Sequence, residues 1–152
     1  MIKPRQLKKQ TLLVHAPPEL TFQVVASAGR LVEDRGAERI VDFETKVGDK
    51  TFITRERIKL HPPRLIEYEW LRGPLPHVVE AIEVQPEGND SRLIYRGEYA
   101  TARGMWKCAV GIVWVYRVFN RLVREHLEEA KQVAEKRAMR SHLFPTHRDS
   151  ND

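Results

Sequence analysis

At 152 residues, with 41% hydrophobic and 31% charged side chains, the chain suits one domain large enough to bury a core. The net charge of +5 comes mostly from Lys3, Arg5, Lys8 and Lys9, which leaves the remainder near balance. With no zinc spacing, RNA-binding aromatic motif or helix-turn-helix pattern, no nucleic-acid partner is expected, and the single Cys108 excludes an internal disulfide.

In chain order, the basic start "MIKPRQLKKQ" has no apolar core behind it and does not read as a signal peptide. Met1, Lys3 and Arg5 are expected to precede the first strand, free of the fold, and to favour anionic lipid surfaces. A strand is expected over residues 7–15, "LKKQTLLVH". In "APPELTFQVVAS" the paired prolines suit a helix start, where a missing N–H costs nothing, and Glu19 favours the first-turn dipole. "GRLVEDRG" (29–36) follows as a polar connection.

From residue 38 to 103 the hydrophobic period is close to two, the signature of half-buried strands. "ERIVDFETKV", "TFITRERIKL", "RLIEYEWL", "HVVEAIEV" and "SRLIYRGEYATA" are separated by "GDK", "HPP", "RGPLP" and "QPEGND", which predicts a meandering antiparallel sheet. The last element is a helix over 104–138. Ile112, Val115, Tyr116, Phe119, Leu122, Val123, Leu127, Ala130, Val133 and Ala134 keep 3–4 spacing, and beyond residue 120 the opposite face is polar. Before residue 120 Trp106, Val110, Val113 and Trp114 make the helix apolar all round, which predicts burial on both sides. The run "CAVGIVWVYR" is too short to span a bilayer, which needs ~20 apolar residues, because Arg117, Arg121 and Arg124 interrupt it. A cytoplasmic location is expected. Residues 141–152 read as a flexible tail, so the domain is expected to occupy 1–140.

Strand phase singles out two acids. Phe52, Thr54, Glu56, Ile58 and Leu60 share one face, Val78, Glu80, Ile82 and Val84 another, and Leu93, Tyr95, Gly97, Tyr99 and Thr101 a third. A carboxylate on an apolar face must be paired, protonated or bound to something. Two readings stay open: a pairing with Arg96 or Arg103 at the sheet rim, or a polar contact inside a cavity. Phe43, Tyr68, Trp70 and Trp114 also fall on expected inner faces, where core packing is the default. The six histidines show no metal-ligand spacing, so neither a metal nor another cofactor is expected, and no nucleophile elbow or phosphate loop appears.

The order strand, proline-started helix, meander, long helix resembles the SRPBCC superfamily, which has the START-like or helix-grip fold. The resemblance is carried by "VHAPPELTFQVVAS", the diproline link in "IKLHPPRLIEYEW", "SRLIYRGEY" and the last helix. It departs in one respect: five strands follow the first helix where the family usually has six, so either 29–38 hides a short strand or one has been lost. The resemblance implies an α+β helix-grip fold with a curved antiparallel sheet of six to seven strands around the C-terminal helix. It implies a cavity for a small hydrophobic ligand, such as a lipid, polyketide or isoprenoid-like molecule. Phe43, Phe52, Glu56, Tyr68, Trp70, Glu80, Ile82, Tyr95, Tyr99, Ile112 and Tyr116 would contact that ligand. The outer face of the front helix would meet a partner subunit, a membrane surface or a loop. No catalytic residue is assigned on the leading reading of a binding or carrier protein. The alternatives are a polyketide cyclase/dehydrase-like enzyme with Glu56 or Glu80 as general base, and a protein-interaction module.

Overall fold

A computed structural model describes residues 3–143. Its strands are β1 (Arg5–Gln6), β2 (Gln10–Val14), β3 (Arg30–Asp34), β4 (Glu38–Val47), β5 (Lys50–His61), β6 (Leu65–Arg72), β7 (His77–Glu87) and β8 (Asp90–Ala100). They form one eight-stranded antiparallel sheet in the order β1-β8-β7-β6-β5-β4-β3, with β2 also pairing β8. Of the strand expected over 7–15 only β2 is formed; β1 precedes it, and the two short pieces lie end to end along β8. Arg5 is part of the sheet, opposite Tyr99, and does not lie free before it. Between the pieces Leu7 turns inward, with its N–H donating to the Gly97 carbonyl at 2.8 Å. A Cβ at Gly97 would lie 2.8 Å from the Leu7 side chain, so this close approach requires glycine.

Helix α1 (Pro18–Ala26) starts at the proline pair, as its fixed φ and missing N–H favour. It buries Thr21, Phe22, Val24 and Val25. The Thr21 and Ser91 hydroxyls share a buried 2.7 Å hydrogen bond, and Ser91 donates to the Ala16 carbonyl at 3.0 Å, tying the helix to β8. Gly29 then turns the chain with φ +83°, where a Cβ would collide with Val41. The stretch expected as a polar connection is β3, the short strand that brings the strand count to the family's number. All five of its residues are exposed, so no apolar alternation marked it.

The C-terminal helix is continuous but not uniform. Helix α2 (Met105–Trp114) leads into a single π-type turn (Val115–Phe119) and then α3 (Asn120–Leu143). The helix therefore continues past residue 140, and residues 144–152 lie outside the described residues. Along α3 the stripe Leu122, Val123, Leu127, Ala134 and Ala138 is buried against the sheet. Gln10, Arg124 and Lys131 bind it to β2: Gln10 donates to the Asn120 carbonyl (2.9 Å), and the other two to Thr11 and Leu13 carbonyls (3.0 Å each). The front half corrects the expectation of burial on both sides, since no residue of α2 is fully buried. Its inner side meets the strand end and the loop before β7. Thr101 Oγ1 donates to Cys108 Sγ at 3.1 Å, and Gly111 lies where a Cβ would strike the Thr101 side chain. The sheet ends before it can wrap the other side.

Candidate functional site

Between the inner face of β4–β8, the end of α1 and the helix from Trp114 to Arg137 lies an open cavity of about 690 Å³. Strand alternation builds one wall. Phe43 on β4, Phe52, Thr54 and Glu56 on β5, Tyr68 and Trp70 on β6, Glu80 and Ile82 on β7 and Tyr95 on β8 all face it. At Glu56 the pairing with β6 shifts by one: Arg55 lies opposite Arg72, but Glu56 lies opposite Trp70. This bulge leaves Leu71 as the extra residue, 43% exposed, while Glu56 and Trp70 stay in phase with Ile58 and Tyr68 and face the cavity by ordinary alternation.

The helical wall comes from the π turn and α3. Phe119 stands edge-on to Trp70, with centroids 5.5 Å apart, and is tilted against Trp114 at 5.8 Å. Phe43 and Tyr68 pair edge to face at 6.3 Å across the sheet wall. Val123, Leu127 and Ala130 continue the apolar lining, and Val24 and Val25 close it from α1. His126, Glu129 and Arg137 are the ionisable lining residues contributed by α3.

Of the residues expected to contact a ligand, Tyr99, Ile112 and Tyr116 are not in this lining. Tyr99 is buried in the core on the far part of β8. Ile112 precedes the gripped segment and is only half-buried, while Tyr116 is 80% exposed. The physical cause is the π turn: its buried positions, Val115 and Phe119, bracket Tyr116 on the opposite side. Phe119, Val123 and Leu127 were legible only as part of a 3–4 stripe. The aromatic at the grip was the available signal, because a phenyl ring in a long apolar stripe is the group that can meet the indole of Trp70.

The polar corner holds two acids on strands flanking β6. Glu80 accepts from Tyr95 OH at 2.5 Å and from Trp70 Nε1 at 3.0 Å. Glu56 accepts from Thr54 Oγ1 at 3.0 Å. Neither acid forms an ion pair with Arg96 or Arg103, so the rim-pairing reading is replaced by hydrogen bonds within the site. Burial raises both carboxyls above the ordinary range, and at Glu56 the neighbouring Glu80 charge raises it further. Two donors pull Glu80 back towards the anion, whereas Thr54 alone does so at Glu56. The two carboxyls titrate as a pair, and both favour the protonated form more than a free glutamate does. Burial, reinforced by the two acids, also raises the Tyr68 and Tyr95 phenols, which stay protonated. The corner can offer a carboxylic-acid donor and a carboxylate acceptor to a molecule in the cavity. Among the described residues no group of three His, Cys, Asp or Glu side chains gathers as metal ligands.

No protein-family model and no curated protein matches the sequence significantly. Solved structures do match its fold. The di-domain aromatase/cyclase StfQ from the steffimycin biosynthetic pathway superposes with a TM-score of 0.76 at 20% identity, over 90% of this chain. The chain spans 52% of that protein, about half its length. The Zhui aromatase/cyclase from Streptomyces sp. R1128 gives 0.64 at 19% identity over 95% of this chain and 99% of that one. Norcoclaurine synthase from Thalictrum flavum gives 0.65 at 13% identity over 87% of each. With its curved antiparallel sheet closed around a long last helix, this chain has the helix-grip fold that the sequence resembled.

Proposed function

We propose that the protein binds a small hydrophobic molecule in the cavity between sheet and helix, held at one end by Glu56 and Glu80. The observation that carries this reading is the cavity itself. Its volume of about 690 Å³ falls in the usual range for small-molecule sites, and its walls are apolar and aromatic with one polar corner. Whichever of the pair is protonated would donate to a carbonyl or hydroxyl oxygen of the ligand, and a carboxylate oxygen would accept from a ligand hydroxyl. Native mass spectrometry of protein purified from its own cells tests this. A bound apolar mass, displaced by Phe119→Asp, is the expected result. Protein that is empty, and that takes up no lipid or polyketide from a panel, would remove the proposal.

A second reading is favoured by two neighbouring buried carboxyls that burial raises, since such a pair can exchange a proton with a substrate. On that reading the protein is a polyketide cyclase-like enzyme. Turnover of poly-β-keto substrates that falls in both Glu56→Gln and Glu80→Gln, with ligand affinity unchanged, would favour catalysis over carriage.

A further inference from the structure

We infer that the outer face of α2 is a docking surface for an anionic lipid bilayer. Docking through this face does not require that the cavity hold a ligand. Trp106, Ala109, Val110, Val113 and Tyr116 follow 3–4 spacing on the side of the helix turned away from the sheet. Their exposure is large: 80% for Trp106, 52% for Val110, 53% for Val113 and 80% for Tyr116, with Met105 at 91%. Exposed apolar side chains scattered singly need no explanation, but a contiguous stripe on one helix marks an interaction site.

Charge identifies the occupant. Between Glu98 and Glu125 the sequence contains no acidic residue, while Arg103, Lys107, Arg117, Arg121 and Arg124 all fall in that interval. Lys107 flanks the stripe, and Arg103 and Arg117 stand at its two ends. The basic start adds to the same end of the molecule, because Arg5 pairs with Tyr99, one residue before β8 ends and the chain turns into α2. An apolar helix face carrying Trp and Tyr, rimmed by cations, has the composition of a helix lying in the interface of an anionic membrane.

A second copy of the chain fits less well. A two-fold contact through this face would set Lys107 and Arg117 against their own counterparts with no acid between them. A single convex helix also offers a partner protein no groove to fill, whereas a bilayer requires none. The surface joins the cavity at one residue: Trp114, the last of α2, lines it beside Phe119. A ligand taken from the bilayer would have a short path past that ring.

The test uses the full chain in sedimentation with vesicles of phosphatidylcholine, alone or mixed with phosphatidylglycerol. Binding to the anionic vesicles is expected, falling as salt rises, with little binding to the zwitterionic ones. The pair Val110→Asp and Val113→Asp, and separately the pair Lys107→Glu and Arg117→Glu, should each weaken it by about tenfold or more. Circular dichroism melting should be unchanged, since all four side chains are exposed or project outward. If the aspartates disturb the fold, the charge-reversed pair carries the comparison. Absence of sedimentation with either vesicle would overturn the inference, as would binding indifferent to both pairs. So would a wild-type dimer, or a complex with an acidic protein, that Val113→Asp disrupts while vesicle binding stays the same.

Discussion

Asp42 and Glu56 are acids of near-equal burial, 5% and 6% exposed, placed one register step apart across β4 and β5. They titrate in opposite directions. Asp42 accepts a bidentate pair from Arg55 (2.8 and 2.9 Å) and a third bond from Arg30 (2.8 Å), and these cations lower it to about 2. Glu56 faces the cavity with one hydroxyl for company and a second acid near by, and burial drives it upward. Burial alone therefore does not decide the charge of an acid; its partners do. Asp42 has two arginines within hydrogen-bond reach, whereas Glu56 and Glu80 meet hydroxyls and an indole N–H.

Among the acids, the largest effect is expected at Glu80→Gln. An amide puts an NH2 donor where one carboxylate oxygen stood, so Tyr95 OH and Trp70 Nε1 can no longer both donate in place, and the bonds to a charged acceptor are lost. The loss should be about 1–3 kcal/mol, read as a clear drop in melting temperature at pH 7. Melting that is unchanged would mean that the polar corner is rebuilt by water or ligand.

Removing the ion pair should cost less. Asp42→Asn keeps the shape but loses the charge, and both arginines are solvated, Arg30 at 76% and Arg55 at 36% side-chain exposure. About 1 kcal/mol is expected, diminishing in high salt. The sign with pH follows from the lowered value. Asp42 contributes stability above the ordinary aspartate value of 3.8, and the contribution is lost as pH falls towards about 2. Chemical denaturation at pH 7 and pH 2 should show the wild type and Asp42→Asn converging in acid.

Glu56→Gln should act in the reverse sense. A raised carboxyl favours the folded state below the ordinary glutamate value of 4.5, and that advantage fades as pH rises through the folded value. The variant should match the wild type near pH 4 and be the more stable of the two at pH 8. A loss of stability at pH 8 would show that Glu56 is held as a charged structural partner.

The smallest effect is expected at Val113→Asp on the exposed side of α2, which should leave melting within about 0.5 kcal/mol of the wild type. Leu127→Ala on the gripped stripe is its counterpart and should cost about 2–5 kcal/mol. Equal losses at the two positions would mean that α2 is covered.

What the sequence determined by itself was the order of elements, the strand phase and the helix stripe. These are local properties: alternation in "TFITRERIKL" put Thr54 and Glu56 on the inner face, and the proline pair set the start of α1. Glu80, Tyr68, Trp70 and Tyr95 line the cavity for the same reason. Tertiary structure decided the rest. β3 exists because β4 offers an edge, not because its own residues alternate. Tyr116 faces solvent because a π turn shifted the helix face, a feature with no reliable signature in composition. Above all, the most apolar stretch of the chain is not its core. Helix α2 runs beyond the sheet that would cover it, while the more polar α3 is gripped along one stripe. Hydrophobicity states which side chains favour burial, but only the reach of the sheet sets which of them are buried.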